Sequence, residues 1–240
     1  MESRKIESTI IKPLTTPRKS ERTIKNSILP DPKNSRPFLI LVSAKIASGK
    51  SVLLSNLLKN KDMYYHYFDK VFMCNSNIKD GEIDDESFNG VKFNKKRMYD
   101  DINYEILQNI YDDIKETEDY KEKAFLLICD DLGPNFEKMS SNMLKLFLKH
   151  RHYKLSIILV SQAIRLFSRK LRTNASHLIS FYCSNMEERK AMNEITNLNQ
   201  KLFDDLLDYC CSENYSFMFI DLLTPRKIKV YKNLNEEIIF

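Results

Sequence analysis

The stretch Phe38-Leu-Ile-Leu-Val-Ser-Ala-Lys-Ile-Ala-Ser-Gly-Lys-Ser-Val-Leu-Leu-Ser-Asn-Leu-Leu58 decides the fold. Its first five residues are a continuous apolar run of strand length, and from Lys50 onward Leu54, Leu57 and Leu58 fall on one helical face. Between the two, Ala44 to Ser51 fits the phosphate-loop pattern, with Ala44 standing where the pattern has its first Gly. The chemistry explains the parts. A strand that turns sharply into a helix wraps backbone N–H groups around phosphates, and the helix dipole favours their charge. Lys45, Ile46, Ala47 and Ser48 would form the curve, and Gly49 would let the backbone approach closely. Lys50 would reach the outer phosphates of ATP, and Ser51 would offer its hydroxyl to Mg²⁺.

Strand and helix signals alternate from there. Val71 to Cys74 reads as a second strand, Ala124 to Cys129 as a third, Leu155 to Val160 as a fourth and His177 to Tyr182 as a fifth. Helices are expected over 102–114, where Ile102, Ile106, Ile110 and Ile114 recur at i, i+4, then over 139–148, with two more across 186–209. The segment 75–100, with Gly81 and Gly90 as turn points, reads as loop, and 215–220 with 228–231 as a terminal hairpin. Apolar strands separated by helices indicate an α/β fold with a mainly parallel central sheet flanked by helices. Ligands of such sheets sit at the carboxyl ends of the strands. The unusual polar groups fall there: Gly49 to Ser51, Asp130-Asp131, Gln162 and Ser184-Asn185.

Asp130 and Asp131 end a six-residue apolar strand, the context of a Walker B site. The first carboxylate would hold Mg²⁺ and the second would orient or deprotonate the attacking water. The alternative is an Asp pair opening the turn at Leu132-Gly133-Pro134. The strand order matches the P-loop branch in which an extra strand separates the two Walker strands in space. Gln162 would then sit between the carboxylates and the γ-phosphate as a sensor, or else be a loop residue.

The charge of +5 resides in residues 1–36, which carry nine basic and four acidic side chains, so the remainder is neutral. Five of the seven prolines lie in 1–37. This reads as a basic, mobile arm ahead of an ATPase domain at 38–240, suited to nucleic acid or simply solvated. Five cysteines without a CxxC pair give neither a zinc site nor a disulfide framework, which suits a reducing, intracellular compartment. No apolar run approaches the length of a membrane span.

The run Arg151-His-Tyr-Lys-Leu-Ser-Ile-Ile-Leu-Val-Ser-Gln162, followed by Leu171-Arg-Thr-Asn174 and a further apolar strand, resembles the poxvirus-type DNA-packaging ATPases of the FtsK–HerA superfamily. The resemblance covers about residues 38–185. It implies a ring-forming homo-oligomer that hydrolyses ATP with Mg²⁺ to drive double-stranded DNA into a preformed capsid. It also implies contacts with capsid or portal-vertex proteins, and a virion-associated or host-cytoplasmic site of action. On that footing Lys50, Asp131 and Gln162 are catalytic, Ser51 and Asp130 hold the metal, and Arg172 is the arginine supplied to a neighbouring subunit. The plainer expectation for Arg172 is a surface arginine packing over the 186–196 helix, with Arg151 and Arg169 as other candidates. Lys149, His150, Arg151, His152, Arg165, Arg169, Lys170 and Arg172, at the ends of the fourth strand and in its flanking helices, read by themselves as a solvated surface; on the resemblance some would face DNA and one would serve the neighbour. Rival expectations are a helicase-like ATPase of the same branch, or a non-catalytic DNA- or capsid-binding protein keeping a relic phosphate loop.

Overall fold

The computed structural model describes residues 2–5, 24–78, 91, 93–137, 139–223 and 228–240. All strands among them join one sheet. In chain order they are β1 (Glu2–Lys5), β2 (Leu39–Ser43), β3 (Lys70–Asn75), β4 (Met98–Tyr99), β5 (Phe125–Asp130), β6 (Leu155–Ser161), β7 (His177–Phe181), β8 (Phe217–Asp221), β9 (Lys229–Lys232) and β10 (Glu236–Ile239). Across the sheet the order is β1-β10-β9-β8-β7-β2-β6-β5-β3-β4. From β7 to β4 neighbours are parallel, and from β1 to β7 they are antiparallel.

The parallel centre follows from burial on both faces. Every residue of β2, β5 and β6 is buried, and successive side chains serve opposite faces. Leu39 and Leu41 join one apolar cluster while Ile40 and Val42 join the other. The first cluster is closed by helices α2 (Tyr104–Lys115), α3 (Gly133–Glu137), α4 (Ser141–Leu148), α5 (Arg169–Arg172), α6 (Met186–Thr196) and α7 (Gln200–Cys210). The second is closed by α1 (Lys50–Lys59) and the aromatic turn Tyr64, Tyr67 and Phe68. As the strand order implied, the extra strand β6 lies between β2, which leads into the phosphate loop, and β5, which carries the carboxylates.

Differences from expectation have local causes. Helix α2 begins after Asn103, whose side chain accepts from the Ile106 N–H and so caps it, leaving Ile102 buried ahead of the helix. Within 75–100, residues 79–90 and 92, including both expected turn glycines, lie outside the described residues; Met98–Tyr99 adds a two-residue strand beside β3. The hairpin at the end of the chain is β8 and β9, and it continues into β10 and β1, which sequence patterning did not reveal. Of the expected arm, residues 2–5 pair with β10, and 24–37 lie against the domain with Leu29 buried. There Tyr64 donates to the Pro30 carbonyl at 2.7 Å and Asn26 donates to that of Leu234 at 3.1 Å. All five cysteines are free and buried. Among the described residues no helix is long and apolar enough to cross a membrane.

Candidate active site

The phosphate loop leaves the sheet where the Ala44 N–H donates to the Ser161 carbonyl on β6 at 2.9 Å. It closes at Gly49, the residue that caps α1, whose φ of 100° lies in the left-handed region. A side chain is disfavoured there on two counts. That conformation disfavours L residues, and a Cβ would stand 3.2 Å from Cδ1 of Tyr215. Gly49 has no side chain with which to accept from the first turn of α1, and no acidic residue sits in that turn. The positive end of a ten-residue helix is thus left uncompensated, the condition for binding an anion. By contrast α6 is capped by Asn185 and carries Glu187 and Glu188 in its first turn. The Ser48 hydroxyl, also in the loop, is buried without a hydrogen-bond partner.

Lys50, the first residue of α1, reaches the end of β5. Its ammonium lies 3.2 Å from Asp130 Oδ1 and also contacts Asp131 Oδ1. Asp130 is buried, and its other oxygen accepts from the Asn75 side chain at 3.3 Å. Burial pushes the Asp130 carboxyl above its usual range, with Lys50 opposing the shift and Asp131 adding to it. Asp131 leaves the strand with φ 56°, and its carbonyl accepts from the Ser76 hydroxyl at 3.3 Å. One ammonium against two carboxylates leaves a site of net negative charge facing a helix end built for an anion. A divalent cation held by oxygen donors resolves that conflict, and the Ser51 hydroxyl with the Asp130 carboxylate are donors of the type Mg²⁺ prefers. The residues present therefore fit a Mg²⁺-bound triphosphate.

Gln162 follows directly on β6, at the ligand edge between the phosphate-loop strand and the carboxylate strand, and its side chain is exposed. Within its own chain Arg172 lies against α6. Nη1 donates to the Phe167 carbonyl at 2.8 Å and Nη2 to Glu194 of α6 at 3.2 Å, leaving the side chain only 11% exposed. The basic residues lie at the two ends of β6 and in the elements that flank it, as expected. Lys149 to His152 precede β6 and Arg165 to Arg172 follow it, so a seven-residue strand of roughly 20 Å separates the two groups. His150 is no surface cation: it is buried, its Nδ1 lies 2.7 Å from the Leu155 carbonyl, and burial lowers its pKa to about 4.

Sequence reasoning missed Asn75 and Tyr215. Asn75 pairs with Asp130 in the β3–β5 register, so the signal was an amide closing the second apolar strand opposite the first carboxylate. Tyr215 lies outside any motif and reaches Gly49 through the β7–β8 pairing.

Residues 30–224 match the family model of the Poxvirus A32 protein. The chain belongs to that family. Comparison of this A32-family chain with individual curated proteins gives no match. Solved structures similar to it include B204, the DNA-packaging ATPase from Sulfolobus turreted icosahedral virus, at a TM-score of 0.58 and 18% identity over 81% of this chain and 97% of that one. The genome packaging NTPase B204 from Sulfolobus turreted icosahedral virus 2, in complex with ATP-gammaS, gives 0.55 and 16% over 81% and 96%. Its complex with sulfate gives 0.59 and 16% over 82% and 96%. The A32-family chain therefore has the P-loop NTPase fold of these packaging proteins.

Proposed function

We propose that this A32-family chain is a viral genome-packaging ATPase, hydrolysing ATP to drive double-stranded DNA into a capsid. The observation that carries the reading is the bridge from the phosphate loop to the carboxylate strand, with the Lys50 ammonium against both Asp130 and Asp131 across the intervening β6. Loop residues Ala44, Lys45, Ile46, Ala47, Ser48 and Gly49 present backbone N–H groups to the phosphates of ATP, and Lys50 steadies the outer ones. Ser51 and Asp130 would hold Mg²⁺, whose charge would offset that developing on the phosphates. Asp131 accepts a proton from the water that attacks the γ-phosphorus as the bond to the β-phosphate oxygen breaks and ADP leaves. Gln162, at the end of β6, is the sensor between the carboxylates and the γ-phosphate. Packaging by a motor of this kind implies a homo-oligomeric ring, contacts with capsid or portal-vertex proteins, and action at a viral assembly site in the host cytoplasm. For Arg172 to serve a neighbouring subunit it would have to release Phe167 and Glu194. Arg169 and Arg151, both exposed, need no such release.

The test is ATP hydrolysis by the purified chain with and without double-stranded DNA. The expected result is DNA-stimulated hydrolysis without strand separation, falling by about 10²–10³ in Lys50→Ala. Unwinding would make the chain a helicase, and no hydrolysis under any DNA condition would leave it a binding protein with a relic loop.

A further inference from the structure

The two sides of the phosphate loop differ in character. On the β6 and β5 side stand Lys50, Asp130 and Asp131. On the other side β2 pairs with β7, and β7 pairs antiparallel with β8, with Phe181 opposite Phe217. That register brings the residues just after Phe181 and those just before Phe217 to the same edge. Several of the exposed large apolar side chains belong to these segments, to the loop itself or to the first turns of the helices that follow: Tyr182 and Tyr215, Ile46, and Met186 of α6 with Val52 of α1.

Tyr215 is the best defined of them. Its ring packs against Gly49 where α1 begins, yet the residue is 71% exposed. It sits at φ 64°, a conformation a bulky residue seldom adopts. The turn holding it there is closed from both ends. The Ser216 hydroxyl donates to the Glu213 carbonyl at 2.6 Å and accepts from the Glu213 N–H at 3.1 Å, while Lys232 binds the Glu213 carboxylate at 2.8 Å. A largely exposed aromatic side chain is thus held beside Gly49, where the phosphate loop enters α1.

We propose that Tyr215 is the shelf on which the base of the bound nucleotide stacks, which makes the ligand a purine nucleoside triphosphate recognised by the face of its base. This rests on the reading of Ala44 to Ser51 as a phosphate loop. A triphosphate seated there must send its nucleoside to one side. The β5 side is negative, whereas the β8 side offers an apolar ring, with Val52 exposed one residue beyond Ser51. Stacking reads the area of a base and not its hydrogen-bonding edge, since every base has a π-face. ATP and GTP are therefore bound alike and pyrimidine nucleotides less tightly.

The experiment compares ATP, GTP and inorganic tripolyphosphate, each with Mg²⁺, on the full chain by calorimetry. Wild type should bind ATP on the order of tenfold tighter than tripolyphosphate, the scale of one base–aromatic stack. Tyr215→Ala should lose that advantage for ATP and GTP while tripolyphosphate binding is unchanged, and Tyr215→Phe should keep it. The chain contains no tryptophan, so the single indole of a Tyr215→Trp variant reports the contact directly. Its fluorescence should be quenched by ATP and not by tripolyphosphate. Equal weakening of ATP and tripolyphosphate in Tyr215→Ala would overturn the shelf and assign the ring to holding the loop at Gly49. An unaltered ATP affinity would overturn it in favour of a surface for another subunit. Wild type binding neither ATP nor tripolyphosphate would remove the phosphate loop itself.

Discussion

Lys50 serves two carboxylates at once, so replacing any of the three changes the charge balance seen by the others. In Lys50→Ala, hydrolysis should fall by about 10²–10³, the scale of one lost electrostatic contact to the transition state. Circular dichroism should remain that of wild type; full activity in this variant would end the phosphate-loop assignment. Asp130→Asn should separate function from stability. Burial raises the Asp130 pKa in the fold, so its contribution favours folding at low pH and is lost as pH rises through the folded value. At neutral pH the buried charge is a net cost that Lys50 only partly offsets. The variant should lose Mg²⁺-dependent hydrolysis while its thermal midpoint at pH 7 stays level or rises by a few degrees. A clear fall in midpoint would mean that the carboxylate supports the fold. Lys50, Asp130 and Asp131 were legible in the sequence because their roles follow from position at a strand end or helix start. Asn75 and Tyr215 were not, because each acquires its partner only through the pairing of strands distant in sequence.

Helix α5 is a single turn, yet its last residue ties two elements together. Arg172 joins the Phe167 carbonyl ahead of α5 to Glu194 on α6. In Arg172→Ala a nearly buried charged donor is lost, and the midpoint of unfolding should drop by the equivalent of about 1.5–3 kcal/mol. Mixing the variant with Lys50→Ala should restore no activity. An unchanged midpoint with activity regained on mixing would instead make Arg172 the residue donated to a neighbour. The strands carry a second test. His150 ahead of β6 and His177 on β7 are buried, and desolvation lowers both to a pKa of about 4, with Asp221 working in the opposite sense on His177. Their unfolded value is near 6.5, so the unfolded chain binds more protons between the two, and stability is lost as pH falls from about 6.5 toward 4. Urea midpoints at pH 7.5, 6 and 5 should decline in that order, and His150→Asn should flatten the decline. A flat profile in wild type would show that both rings are hydrated. The division of the basic residues follows from the strand expected at Leu155 to Val160: 149–152 and 165–172 are close in the chain, and that strand carries them to opposite ends of the sheet.

At the scale of the molecule, the segment ahead of the phosphate-loop strand does two different things. Residues 24–37 cover the aromatic turn at Tyr64 and Tyr67, whereas residues 1–23 hold six basic and three acidic side chains. A deletion meant to test DNA binding should therefore stop at 23. Removing 1–23 should preserve basal hydrolysis while weakening affinity for double-stranded DNA and shallowing its salt dependence, because each lost phosphate contact lowers the slope. Unchanged affinity and slope would assign the segment to a protein partner. Removing 1–36 should in addition lower the thermal midpoint by several degrees, since the Tyr64 and Tyr67 hydroxyls lose their partners and Leu29 its burial. Proline content and charge made the whole segment read as an arm. Burial of Leu29 was invisible because Ile24, Ile28 and Leu29, lying among prolines and charges, are too few to establish a period.

The pairing of β1 with β10 joins residues as far apart as Glu2 and Ile239 through a register of four positions. Closing a loop of that contour costs more configurational entropy than any other contact between strands, while so short a ladder returns little. Its consequence is kinetic. This edge should zip last during refolding and unzip first under native conditions, long before β5 and β6 let go. Amide exchange should follow the same ranking, with protons in Glu2–Lys5 replaced by brief local opening and those in Phe125–Asp130 only when the whole sheet dissolves.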